Sequence, residues 1–367
     1  VTATTVVLLL DNRPGPAEVV NSLQELVIET TLDTSGTFRL RLGTGLGPSG
    51  DWPLTEPDRF TPGQSVRIGA VIGTGPLPTF LFTGYVATRS VIYSETTGGS
   101  SMEIGGVDAT ALMNLQDHTK AWPNLPDFLI ATQIFASHRL IPQVTPTGPV
   151  LIEPEGTTIQ RGSDIRFLRH LARRNGFEVY TLPQPNTGLE IGHFHQLSAD
   201  GDPVATLAVR AGDSSSVTDL RISQDMLRPT TATADALDFR HATQSATVDE
   251  AGSTIGRTSV LSRISPAPVT RLTGTGLTNA GDLRTAAQAV VDRSALAITA
   301  EGTVDASVGP LRPGDVIRLG GAGEAYSGSW LVRRVVHRIS PAGGYTQRFT
   351  AVRNAVGNDG LLGALGG

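Results

Sequence analysis

Pro62-Gly63-Gln64-Ser65-Val66-Arg67-Ile68-Gly69 returns late in the chain as Pro313-Gly314-Asp315-Val316-Ile317-Arg318-Leu319-Gly320. In both copies a Pro-Gly pair sets a turn, and a short run rich in β-branched residues follows as a strand. A second match lies downstream of each copy. Gly84-Tyr85-Val86-Ala87-Thr88-Arg89-Ser90-Val91 aligns with Gly328-Ser329-Trp330-Leu331-Val332-Arg333-Arg334-Val335, the leading glycine allowing a tight bend. A third match lies upstream, Glu25-Leu26-Val27-Ile28 against Asp219-Leu220-Arg221-Ile222. Two unrelated hairpins with common turn chemistry would yield any one of these matches. Three in the same order, twice, read as a duplicated β domain whose repeat turn positions are Pro62, Gly63, Gly84, Pro313, Gly314 and Gly328.

Outward from these anchors, residues 23–105 run strand after strand. Phe38, Leu40 and Leu42 alternate with Arg39 and Arg41, the period of a sheet with one apolar face. Thr97-Gly98-Gly99-Ser100 reads as a hairpin turn. Helical signals begin after Gly106. Asp108 is placed to cap Ala109–Leu115, and Pro126 opens a helix over Asp127–Arg139 that Ile141-Pro142 stops. Ser163 is the expected N-cap of a third helix with Ile165, Leu168 and Ala172 on one face and Asn175-Gly176 at its end. Strands resume at Leu220–Ile222 and Leu237–Phe239, residues 241–281 are polar and expected to form loops or weak strands, and Asp282 is read as capping a helix to about Ala297. The expected fold is therefore mainly β with an inserted α/β module: a first tube-like β-barrel domain at 1–107, the module at 108–215, a second barrel at 216–356 carrying helix 282–297, and a flexible tail at 357–367.

Of 367 residues, 39% are hydrophobic and 17% charged, the composition of a folded chain long enough for two or three domains. A net charge of -5, from 29 basic and 34 acidic residues, leaves no overall footprint for a polyanion. With no cysteine, disulfides and thiolate metal sites are excluded, and assembly in a reducing compartment is the natural expectation. Val6–Leu10 is too short to span a bilayer and lacks the basic start of a signal peptide, so no membrane segment is expected.

Two similar barrels per chain, set head to tail, let three chains close a ring with six similar faces, a pseudo-sixfold ring made by a homotrimer. Such a ring can meet a sixfold object on one side and a threefold object on the other. The residues that carry a family resemblance are Leu311-Arg312-Pro313-Gly314-Asp315-Val316, Tyr326-Ser327-Gly328-Ser329-Trp330-Leu331-Val332, Val336-His337-Arg338-Ile339 and Gly343-Gly344-Tyr345-Thr346. Together they resemble the C-terminal signature of the phage late control protein D family of tail hubs. Ser163–Phe177 is similar to that family's central helix, where an aspartate, a Phe-Leu pair and a Leu-Ala pair lead to a glycine and a strand. The hub part of valine-glycine-repeat spike proteins in type VI and extracellular contractile injection systems is similar as well. The resemblance implies a non-enzymatic structural hub, homotrimeric, between a sixfold tail tube protein and a threefold central spike protein, touching other baseplate proteins. It also implies assembly in the bacterial cytoplasm into a virion tail or injection particle. The spike is expected to be a separate chain, because neither an oligosaccharide-binding-like domain nor a β-helical needle is evident before Gly367.

Other chemistry is thinly signalled. His193-Phe194-His195 puts two imidazoles on one face of a strand, yet no third ligand stands nearby and a polar strand face is the plainer reading. Gly43-Thr44-Gly45-Leu46-Gly47 and Gly274-Thr275-Gly276 lack the spacing and the following Lys-Ser/Thr of phosphate loops. Neither a Gly-x-Ser-x-Gly elbow nor His-Glu-x-x-His occurs, so no catalytic residue, cofactor or metal is assigned. A tail-associated cell-wall hydrolase and a carbohydrate-binding tail-tip module are the alternatives. Arg166, Arg169, His170, Arg173 and Arg174 make a basic helical face that solvent or ion pairing explains. Arg333, Arg334, His337, Arg338, Arg348 and Arg353 gather positive charge on the last strands. Half of them could point into a lumen and meet transient DNA or cargo, with Arg333, Arg334, His337, Arg338 and Arg348 the lumen-facing or inter-subunit candidates; an outer face paired with acidic neighbours on the ring partner is the alternative.

Overall fold

The structure, a computed structural model, describes residues 4–47, 50–55, 59–72, 77–96, 98–148, 157–199, 201–209, 215–238, 242–273, 277 and 280–357. Its first third is β1 (Thr5–Leu10), β2 (Arg13–Pro14), α1 (Ala17–Asn21), β3 (Leu23–Thr31), β4 (Thr37–Gly43), β5 (Ser65–Val71), β6 (Thr79–Ile92) and β7 (Ser101–Val107). Along β4 the two-residue period holds: Phe38, Leu40 and Leu42 are buried and Arg39 and Arg41 exposed. The apolar faces of these strands close on one core that includes Leu26, Ile28, Phe60, Ile68, Phe82 and Met102.

The middle of the chain is α2 (Ala109–Leu112), β8 (Asp117–Trp122), α3 (Asp127–Ser137), β9 (Ile141–Val144), β10 (Thr158–Ser163), α4 (Asp164–Asn175), β11 (Glu178–Pro183) and β12 (Glu190–His195). β10 pairs with β8, and β11-β12-β9 form a second small sheet. Asp108 does cap α2, accepting from the Thr110 N–H at 3.0 Å. Helix α3 ends two residues earlier than expected, because Arg139 takes a φ of 61°. Ser163 occupies the N-cap of α4, but its hydroxyl donates to Asn114 at 2.7 Å instead of accepting a helix N–H. Gly176, at φ 70°, closes that helix in the left-handed conformation.

The remainder is β13 (Ala205–Ala208), β14 (Val217–Gln224), β15 (Thr231–Asp238), β16 (Ala242–Val248), β17 (Thr258–Ser259), β18 (Val269–Leu272), α5 (Ala280–Ala295), β19 (Ile298–Asp305), β20 (Val316–Gly320), α6 (Gly323–Tyr326), β21 (Gly328–Ser340), β22 (Gly344–Arg353) and β23 (Ala355–Val356). The segment expected to be loops or weak strands holds β16 and β18, which flank β15 in a three-stranded sheet under α5. Alanine-rich surfaces on both partners let helix and sheet approach closely, burying Ala232, Ala234, Ala286 and Ala287. Asp282 lies inside the first turn of α5 and is not its cap. Residues 205–208, assigned by sequence to the inserted module, pair in parallel with β20. Thr97, Phe239, Gly274–Gly276 and the tail 358–367 lie outside the described residues.

The repeat becomes concrete in the strand order. The first part runs β3-β4-β7-β6-β5-β1 and the last part β14-β19-β22-β21-β20-β13, the same order throughout. One direction differs: β1 is antiparallel to β5, whereas β13 is parallel to β20. The likeness extends to single hydrogen bonds. Gly63 N–H donates to the Val86 carbonyl at 2.8 Å and Val86 N–H to the Gln64 carbonyl at 2.9 Å. Gly314 N–H donates to the Val332 carbonyl and Val332 N–H to the Asp315 carbonyl, both at 2.8 Å. A β-bulge falls between Val86 and Thr88 in one copy and between Val332 and Arg334 in the other. Following the pairing outward from the bulges places Arg221 where Val27 stands and Ile222 where Ile28 stands, the alignment of the third sequence anchor.

The second anchor needs correction. Val86 is the counterpart of Val332, so Gly84 corresponds to Trp330 and not to Gly328. Gly84 is no turn position either: it lies within β6, where a Cβ would meet the Val107 carbonyl oxygen at 2.3 Å. The two true turn glycines give a paired test. Gly63 and Gly314 have φ of +90° and +93°, but only at Gly314 would a Cβ touch a neighbour, the Tyr180 hydroxyl at 3.1 Å. Gly63→Ala is expected to cost about 1–2 kcal/mol from backbone strain alone, and Gly314→Ala more, read as urea midpoints at constant slope.

The two halves, each with its own apolar core, are joined edge to edge. β3 pairs with β21 from Leu26↔Ile339 to Thr31↔Arg334, which fuses both halves into one 13-stranded sheet.

Candidate functional site

That sheet has one apolar and one charged face. On the charged face, β21 and β22 contribute Arg334, Arg338 and Arg348, β3 contributes Glu25 and Glu29, and β19 contributes Glu301. Arg334 meets Glu29 at 2.6 Å, Arg338 meets Glu25 at 3.0 Å, and Arg348 meets Glu301 at 3.2 Å. The first two pairs straddle the β3–β21 seam. Each is solvent-exposed, so it contributes only about 0–1 kcal/mol, and it helps set which strands sit together.

The other three basic residues of the cluster turn inward, and for Arg333 and His337 this corrects the expected lumen or inter-subunit position. His337 is buried, and its Nδ1 shares a 2.8 Å hydrogen bond with the Tyr345 hydroxyl. Burial holds its pKa down to about 3, so it is a neutral core residue. Arg353 is wholly buried and donates to the carbonyls of Ile255, Ser327 and Gly357. Arg333 sits in the bulge, which turns its side chain toward Glu178 of the α/β module, at 3.2 Å, and Asp33, just past β3 of the first half-sheet, at 2.5 Å. Arg293 of α5 approaches the same Glu178 at 3.7 Å. Both half-sheets, the α/β module and α5 thus meet at a single charged joint.

Two further joints tie the module to the sheet. Arg312 donates to the carbonyls of Phe80, at 3.3 Å, and Pro183, so one guanidinium joins three parts of the chain. Asp108 accepts from Gly36 N–H at 2.5 Å while Ala109 N–H donates to Glu190 at 3.1 Å. Burial, then the nearby Asp108 charge, push the Glu190 carboxyl up to about 8. Burial raises the Asp108 carboxyl too, against the hydrogen bonds from Gly36 and Thr110 that favour its charge, so the two carboxyls titrate as a coupled pair.

His193 and His195 do lie together, with ring centroids 5.5 Å apart. Tyr180 takes up that space: it stacks on His193 at 4.4 Å, and its hydroxyl lies 3.0 Å from His195 Nε2. Burial lowers the His193 pKa to about 3. Among the described residues no group of three or more His, Asp or Glu side chains is arranged to hold a metal. Gly43 and Thr44 leave β4 as a connecting loop, Thr44 N–H donating to the Ser100 carbonyl. On α4, Arg174 is paired with Asp127. No helix among the described residues is long and apolar enough to cross a membrane.

The acidic partners Glu25, Glu29, Asp33 and Glu178 went unnoticed in the sequence. Asp33 and Arg333 are 300 residues apart, so only the β3–β21 pairing brings them together.

This architecture, a mostly β chain with a continuous sheet, is the fold of phage tail proteins. The 43 kDa tail protein of prophage MuSo2 from Shewanella oneidensis superposes with a TM-score of 0.67 at 16% identity, over 96% of this chain and 98% of that one. A tail protein from Neisseria meningitidis MC58 gives 0.69 at 14% identity, over 96% and 97%. The E. coli c3393 protein, a component of the type VI secretion system, gives 0.58 at 12% identity, over 95% and 77%. At sequence level, the family model described as the Alg8 N-terminal domain matches residues 17–341, and the chain belongs to that family. No curated protein gives a match.

Proposed function

We propose that the protein is a structural hub of a phage tail or contractile injection system, in the manner of late control protein D, which adapts a sixfold tail tube to a threefold central spike. The observation that carries this reading is the repetition of one six-strand order in two half-sheets fused through β3 and β21. A chain built of two equivalent halves presents two equivalent faces, so three chains present six. The tail-protein fold of the similar structures supports the setting. The joints at Arg333, Arg312 and Glu190 suit a rigid load-bearing part: each ties elements together through buried polar groups. In the assembled ring the partners are two further copies, the tube protein, the spike protein and other baseplate proteins. Assembly takes place in the bacterial cytoplasm. Arg334, Arg338 and Arg348 each hold a carboxylate, so a channel lined by them presents ion pairs to passing DNA or cargo rather than bare positive charge.

Native mass spectrometry of the purified protein is expected to show three copies per particle, and image averages a ring with six similar lobes. A chain that stays monomeric at every concentration and binds neither tube nor spike protein would overturn the proposal.

A further inference from the structure

We infer, on the ring reading just given, that copies join by strand addition: the outer edge of the second half of β6 in one copy receives β14 of the next. The register is the one β21 and β3 already hold within each chain.

Within one chain β21 uses the same side twice. Its first residues, 328–331, pair with β20, and beyond the bulge 334–339 pair with β3. Its counterpart β6 pairs with β5 over 79–85, and past Val86 no strand takes that edge among the described residues. The counterpart of β3 is β14, which has β19 on one side and, among the described residues, no strand on the other. Each chain therefore retains one open edge of each kind that its own seam has already joined. Open edges with unpaired backbone groups invite strand addition, and a head-to-tail contact of this kind closes into a ring when the rotation allows.

The side chains carry the marks of a missing neighbour. At the closed seam Leu26, Ile28 and Ile339 are 1%, 0% and 3% exposed. Their counterparts fare differently: Leu220 and Ile222 are only partly buried, and Tyr93 is 59% exposed. Seam pairs Arg334↔Thr31, Val336↔Glu29 and Arg338↔Val27 become Thr88↔Asp225, Ser90↔Ser223 and Ile92↔Arg221. The two ion pairs of the internal seam have no equivalent in the second, since Thr88 and Ile92 replace Arg334 and Arg338. Backbone hydrogen bonds and the apolar face carry the contact between copies.

The chain has no cysteine, so engineered pairs report cleanly. Ser90→Cys and Ser223→Cys change one atom each at exposed positions. With both in one chain, mild oxidation is expected to give a covalent three-chain species on a non-reducing gel, lost on reduction. Coexpressed single variants should give a two-chain species that neither gives alone. Yield should exceed by about fivefold that of Ser90→Cys with Asp225→Cys, two residues out of register, because a disulfide tolerates little displacement. A protein of threefold mass whose 90–223 pair does not cross-link, or does so no better than 90–225, overturns the edge pairing and leaves the ring intact. A protein of monomer mass overturns both.

Discussion

Trp330→Ala is expected to destabilise the protein by about 3–5 kcal/mol, the cost of removing a large aromatic side chain from a tight core. Trp330 is 0% exposed and lies opposite Ile317 in the β20–β21 pair, amid Val332, Val335 and Phe349. The indole does three things at once. It fills the core of the second half-sheet, its N–H donates to the Tyr326 carbonyl at 3.0 Å, and its ring lies 5.2 Å from the Arg353 guanidinium carbon. Truncation would leave a carbonyl without its donor and a buried cation without its ring. Trp330→Phe separates these effects. It keeps an aromatic face and loses the N–H bond and some volume, so about 1–2 kcal/mol is expected. Urea unfolding followed by far-ultraviolet circular dichroism measures both. Equal losses for the two variants would show that the hydrogen bond, and not the volume, dominates. The counterpart position in the first half is Gly84, so the two halves solve one position in opposite ways: one strand pair closes on a glycine, the other opens around a tryptophan.

That contrast explains what could be read from residues alone. Turn chemistry is local: Pro62-Gly63 and Pro313-Gly314 announce the same positive-φ bend in any context. Strand periodicity is local too, as the alternation along β4 shows. The alignment of Gly84 with Gly328 failed because a bulge and a register are properties of two strands, and no single run of sequence contains both. Arg333 and His337 were misplaced for the same reason. Strand alternation alone would put Arg333 and His337 together on the face opposite Trp330 and Val332, whereas the bulge turns Arg333 into the joint with Glu178 and brings His337 round into the core. The exposed Arg334, Arg338 and Arg348 were legible as a cluster, but their carboxylate partners depend on the β3–β21 seam and on β19, far off in sequence. The small sheet under α5 hid behind Thr, Ser and Ala, which carry weak strand signals until a helix covers them.

Raising the pH is expected to loosen the joint between the α/β module and the first half-sheet, and Glu190→Gln to abolish that sensitivity. The Glu190 carboxyl is pushed from 4.5 to about 8 by burial and by Asp108. Between those values the folded protein holds a proton that the unfolded chain releases. Unfolding free energy then falls with pH, by up to about 1.4 kcal/mol per unit for one such group. The contribution is complete below the unfolded value and is lost as pH climbs through about 8, the reverse of an ordinary salt-bridged carboxylate. Over that window Glu190 accounts for a loss of up to about 5 kcal/mol. His193 and His337, both held down to about 3, act on the other side: they favour folding when neutral and oppose it as pH falls below their ordinary range. Asp315, raised to about 6 by burial, gives a loss of the same sign that is spent between its ordinary value and about pH 6. Comparing wild type with Glu190→Gln at each pH cancels these other groups. The amide can still accept from Ala109 N–H without carrying charge, so the two proteins should be nearly equal near pH 5 and diverge steadily by pH 9, the variant being the more stable. Parallel stability curves across that range would mean that Glu190 ionises normally, with solvent reaching it in the fold.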